Sequence, residues 1–123
     1  MIPMGKIIVQ RLHEIVTNGE LGYDYTLDLR REKNRRFRMQ YCINDAMMKD
    51  ILMELTEQHY VKSEQSANPE HLDDIIHVFK IAKDLVPRID EEVNFVHVCI
   101  YIKVTWPSGE EPMFIISFHE DEE

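Results

Sequence analysis

Cysteine is scarce: Cys42 and Cys99 are the only two in 123 residues. That is too few for a disulfide framework or a four-cysteine zinc site, and it fits a reducing cytoplasm. Glycine and proline are also few, four and five, which excludes a collagen-like repeat and a low-complexity linker. Long apolar runs are missing. The longest, 95–104, is interrupted by His97 and Lys103 and is about half of the roughly 20 residues a membrane-spanning helix requires. The first ten residues lack a basic flank followed by an apolar segment and a small-residue cleavage site, so no secretory leader is expected. Positive charge is in deficit: 14 Lys and Arg face 23 Asp and Glu, a net charge of −9. The global field of such a chain does not draw it to nucleic acid.

What remains is ordinary for a globular protein, 44% apolar and 30% charged, in a length that fits one domain. The charge deficit is uneven, with eight Lys/Arg against five Asp/Glu in residues 1–40 and six against eighteen beyond. Within the first part Arg30, Arg31, Lys33, Arg35, Arg36 and Arg38 are opposed only by Glu32. Such a cluster can hold phosphates, form a solvated helix face or dock a protein partner.

Apolar spacing at Ile8, Leu12, Ile15 and Val16 predicts a first helix over 6–17, with Asn18-Gly19 as a left-handed stop. From Leu21 to Leu29 apolar and polar residues alternate, as in a strand or an extended loop. Asn44 or Asp45 caps a helix whose stripe is Met47, Met48, Ile51, Leu52 and Leu55, and Thr56-Glu57 opens a short capped turn. Between Asp73 and Val86, Ile75, Val78, Phe79, Ala82 and Leu85 fit a helix, whereas Ile76 and Val78 against His77 and Phe79 fit a strand. Val96, Val98, Ile100, Ile102, Val104 and Trp106 predict one apolar face of a long strand, with His97, Cys99, Tyr101, Lys103 and Thr105 opposite. After a turn at Pro107-Ser108-Gly109, Phe114, Ile116 and Phe118 alternate with Met113, Ile115, Ser117 and His119, so 95–105 and 112–119 are expected to pair as an antiparallel hairpin.

Four blocks, Leu55 to Ser63, Ile76 to Phe79, Ile100 to Val104 and Ile116 to Glu120, match in order and approximate spacing those of the MqsR family of toxin-antitoxin toxins. This stretch of the chain, about 44–120, resembles that family. The resemblance implies an α+β, RelE-like fold with N-terminal helices packed on one face of an antiparallel β-sheet, and a strand at the Ile76 block. It implies a metal-independent endoribonuclease that cleaves mRNA in the cytoplasm without a cofactor and is held in check by a cognate antitoxin protein, and it leaves any need for the ribosome open. Lys62, Tyr101 and His119 fall on positions resembling the family's active-site lysine, tyrosine and C-terminal basic residue, with His77 as a looser match. The acidic end, Glu120 to Glu123, departs from basic members.

Metal-free RNA cleavage removes a proton from the ribose 2′-hydroxyl, stabilises charge on the phosphorus oxygens and protonates the departing 5′ oxygen. Histidine titrates near neutral pH, which suits His119 or His77 as acid or base. Lys62 and Lys103 offer positive charge to the phosphorane, and Tyr101 can orient a phosphate or stack on a base. The six-residue basic cluster and Lys103 are the candidate RNA contacts. Two other readings compete. One is a non-catalytic acidic binding module, a degenerate toxin. The other is a small metal site in which His97 and Cys99 converge with His77 or His119.

Overall fold

The computed structural model describes residues 3–88 and 94–122. Its elements run α1 (Met4–Asn18), β1 (Tyr25–Leu27), α2 (Glu32–Gln40), α3 (Asp45–Glu54), β2 (Tyr60–Gln65), β3 (Ile75–Leu85), β4 (Val96–Thr105) and β5 (Met113–Glu120), with short 3-10 turns at Glu57–His59, Pro69–His71 and Pro107–Gly109. The strands form one sheet in the order β1-β5-β4-β3-β2, antiparallel except for the β1–β5 pair. The architecture is therefore α+β, as expected, with the helices in the N-terminal part and four of the five strands after them. Among the described residues no helix is long and apolar enough to cross a membrane.

One hydrophobic core lies between the helices and one face of the sheet. The stripe Ile8, Val9, Leu12, Ile15 and Val16 of α1 and Met48, Ile51 and Leu52 of α3 pack with Phe79, Ile81, Val98, Ile100, Ile102, Val104, Ile115 and Phe118. Burying each large side chain contributes roughly 1.5–3 kcal/mol. Asn44 caps α3, its side chain accepting from the Met47 amide at 2.8 Å. Gly19 ends α1, but not in the left-handed conformation expected: its backbone is extended, with φ −98°. Glycine is required there for space, because a Cβ would lie 2.4 Å from the Ile15 carbonyl oxygen.

The ambiguous 73–86 segment is the strand β3. Its apolar residues serve two faces in alternation, with Phe79, Ile81 and Leu85 under the helices and Val78 on the other side. The 21–29 alternation becomes a three-residue strand paired with β5.

Two irregularities set which side chains face away from the helices. In β2, Tyr60 opposes Phe79 while Lys62 opposes Val78, so Val61 is an extra residue and Lys62 turns to the helix-free face. In β5, Lys103 opposes Ser117 while Val104 opposes Ile115, so Ile116 is extra. A bulge shifts strand phase by one residue. The expected core face of Phe114, Ile116 and Phe118 is accordingly corrected to Met113, Ile115 and Phe118. Beyond the bulge Ser117 and His119 face away from the core.

Asn34 holds the second bulge. This fully buried residue of α2 donates from Nδ2 to the carbonyls of Asp28 (2.9 Å) and Ile116 (3.0 Å), and its Oδ1 accepts from the Phe118 amide (2.9 Å). Where β1 ends, α2 takes its place beside β5, with Phe37 edge-on to Phe118 at 5.9 Å.

Candidate active site on the open sheet face

The helix-free face is ordered in rows across the strands. Lys80, Tyr101 and His119 stand opposite one another on β3, β4 and β5. Two residues along, Lys62, Val78, Lys103 and Ser117 form a second row from β2 to β5. A third comprises Glu64, Ile76, Thr105 and Phe114. The first two rows line an open groove of about 860 Å³, closed on one side by Arg31, Glu32 and Lys33 at the start of α2 and by Asp121 and Glu122 after β5.

Tyr101 is its centre. The His119 ring lies 5.7 Å from the Tyr101 ring, and the ammonium groups of Lys103 and Lys80 are 5.5 and 5.9 Å from the Tyr101 centroid, within the range of cation–π attraction. His119 Nδ1 is 2.9 Å from the Glu120 carbonyl oxygen. A carbonyl only accepts, so Nδ1 carries a hydrogen, and in the neutral ring it is Nε2 that offers the lone pair.

Each of these cations meets a carboxylate. Lys62 lies 3.1 Å from Glu64, which is also 3.9 Å from Lys103, and Lys80 lies 3.0 Å from Asp121. Lys33 donates to Glu122 at 2.9 Å and holds that carboxyl below its usual range. Asp121 and Glu122 thus lie along the groove and neutralise its rim.

Lys62, Tyr101, Lys103 and His119 come together as the sequence suggests, but His77 does not. His77 opposes Val104 and Ser63 on the covered face. It is 7% exposed, its Nδ1 2.6 Å from Ser63 Oγ and its ring 5.9 Å from Trp106. It therefore stands apart from the catalytic set, and from Cys99 and His97, which lie on the opposite face. His97 pairs instead with Asp84 at 3.0 Å. Among the described residues no group of three or more His, Cys, Asp and Glu gathers as ligands.

Burial, and secondarily the Arg11 charge, lowers the His77 pKa. The unfolded chain, titrating near 6.5, then binds the proton more readily than the folded one. Stability contributed by neutral His77 is complete above about pH 6.5 and falls as pH drops toward the folded value. Melting followed by circular dichroism at pH 7.5 and 5.5 should show a smaller acid loss for His77→Gln than for the parent; equal losses would remove His77 as a source.

The basic cluster is divided. Arg31 and Lys33 line the groove. Arg30 and Arg31 pair with Asp28 at 3.0 and 3.7 Å, and the Arg30 hydrogen bonds hold the Asp28 carboxyl below its usual range. Arg35 donates to the Leu29 carbonyl and Arg36 pairs with Glu32. Arg38 bridges the Ile43 carbonyl and Asp45, joining α2 to α3. Arg35 and Arg38 are thus held by the Leu29 and Ile43 carbonyls and by Asp45 of α3, and neither lines the groove. Lys80 and Ser117 were missed; once β3 is a strand, the period of two from Val78 places Lys80 beside Tyr101. No family model matches the chain, and no match is found among curated proteins or among solved structures.

Proposed function

We propose that the chain is the toxin of a toxin-antitoxin pair, an endoribonuclease that cleaves mRNA in the cytoplasm and resembles the MqsR family. The observation that carries this reading is the meeting of Lys62, Tyr101, Lys103 and His119 from three strands on one helix-free face. Three of them stand at the positions that resemble the family's site.

In this reading His119 Nε2 takes the proton of the ribose 2′-hydroxyl, whose oxygen attacks the adjacent phosphorus. Lys62 and Lys103 stabilise the charge on the non-bridging oxygens. Tyr101 orients the phosphate, and the departing 5′ oxygen takes its proton from a neighbouring ammonium or the Tyr101 hydroxyl. The products are a 2′,3′-cyclic phosphate and a 5′-hydroxyl. These roles need proton transfer and positive charge, which the side chains supply without a metal.

Purified chain incubated with single-stranded RNA in excess EDTA should yield fragments ending in 2′,3′-cyclic phosphate. Activity lost on chelation and restored by zinc would overturn the metal-free mechanism. Neither cleavage nor RNA retention at low salt would overturn the nuclease reading. The second reading, a non-catalytic acidic module, would then stand on the carboxylates of Glu64, Asp121 and Glu122 that meet the groove's lysines.

A further inference from the structure

A second cavity of about 380 Å³ opens on the same face and joins the groove through Arg31 and Lys103, which line both. Its character differs. The floor is the third row of the sheet, Ile76 and Phe114, with Ile116 of the bulge beside them. All three are partly buried although no helix covers them. The rim is polar. Asn68 is exposed, and its Oδ1 accepts from the Glu70 amide, which directs its NH2 group elsewhere. Asp74 is 8% exposed and accepts from the Ser108 amide at 2.9 Å. Arg30 and Arg31 stand at the mouth, held by Asp28.

We propose that this cavity is a nucleobase subsite, taking the base of a nucleotide next to the phosphate cleaved in the groove. The inference rests on the nuclease reading above and deepens it. An aromatic and aliphatic floor under a polar rim suits a flat heteroaromatic ring, which buries its faces while its edge hydrogen-bonds. The third row lies two strand residues from the row of Lys62 and Lys103, ~7 Å at ~3.4 Å per residue, within the reach of one nucleotide. Arg31 and Lys103 at the junction lie where a backbone passing from groove to cavity would carry its phosphate.

The test uses an uncleavable 2′-O-methyl trinucleotide, intact and with each base removed in turn, titrated against the full chain. Removing the base that enters the cavity should weaken binding to the parent protein about ten-fold, in the range for stacking on an aromatic side chain. Phe114→Leu, which keeps the apolar floor but removes the ring, should weaken the intact ligand similarly and make it insensitive to loss of that base. Asn68→Ala, on the exposed rim away from the core, repeats the comparison should Phe114→Leu melt early. It should weaken the intact ligand and not the abasic one. If base removal and both substitutions act independently, or the abasic ligands bind the parent as well as the intact one, the subsite is overturned. In that case a Lys62→Ala loss of trinucleotide binding would leave the nuclease reading standing. Failure of the parent to bind any trinucleotide would overturn both.

Discussion

His119→Ala should slow RNA cleavage by roughly 10²- to 10⁴-fold, the range attributable to one general acid or base, while changing RNA affinity only a few-fold. The separation follows from the geometry. His119 anchors its Nδ1 hydrogen on the Glu120 carbonyl, which leaves Nε2 for the proton, whereas charge neutralisation falls to Lys62, Lys103 and the start of α2. A Lys62→Ala variant should show the complementary pattern, losing affinity as well as rate. Expression without a partner offers a second readout, because an unrestrained messenger nuclease arrests growth and His119→Ala should relieve the arrest. Equal cleavage by parent and variant at matched protein levels would remove His119 from the mechanism.

Asn34→Ala should destabilise the fold by about 3 kcal/mol, measured by urea unfolding. Alanine fills no hydrogen bond, and the substitution strands the Phe118 amide together with the Asp28 and Ile116 carbonyls in a site closed to solvent. Each buried polar group left unpaired costs roughly 1–3 kcal/mol, and partial relaxation of α2 keeps the total below the sum. The same substitution should lower cleavage in the surviving folded fraction, because the bulge that Asn34 supports aims Ser117 and His119 outward. A loss under 1 kcal/mol would mean that water or a shifted α2 satisfies the freed groups.

Much of this was legible. The alternation over 96–105 identified the core face of β4, and therefore the outward positions of Tyr101 and Lys103, without help from any other segment. The α3 stripe, apart from Met47, which the structure leaves exposed, and the Asn44 cap were equally local. The failures share a cause in phase. A strand's faces differ by a single residue, so His77, next to Val78 of the open face, lies on the covered one, a difference that a looser match in sequence does not resolve. On β5 uninterrupted alternation assigned Phe114 and Ile116 to the core, because the extra residue depends on Asn34, 82 positions away. Lys80 was hidden because the apolar spacing over 73–86 also fits a helix. The basic cluster looked uniform in sequence, yet its partners, Asp28, Leu29, Glu32, Ile43, Asp45 and Glu122, lie at separations that differ for each residue.

The carboxylates along the groove bear on how the site would respond to its solvent. A basic nucleic-acid surface gains affinity when phosphates it neutralises shed condensed counterions, and it loses that affinity steeply as salt rises, by about 0.7 in log-log slope per contact on a single strand. Here Glu64, Asp121 and Glu122 already act as built-in counterions for Lys62, Lys80 and Lys33. An incoming strand trades places with groups that remain tethered nearby, so each phosphate is only partly neutralised. RNA binding of the proposed kind would then be an ion exchange within the protein's own surface, weak at low salt yet little eroded at high salt, with its selectivity resting on the shape and stacking of what enters the groove.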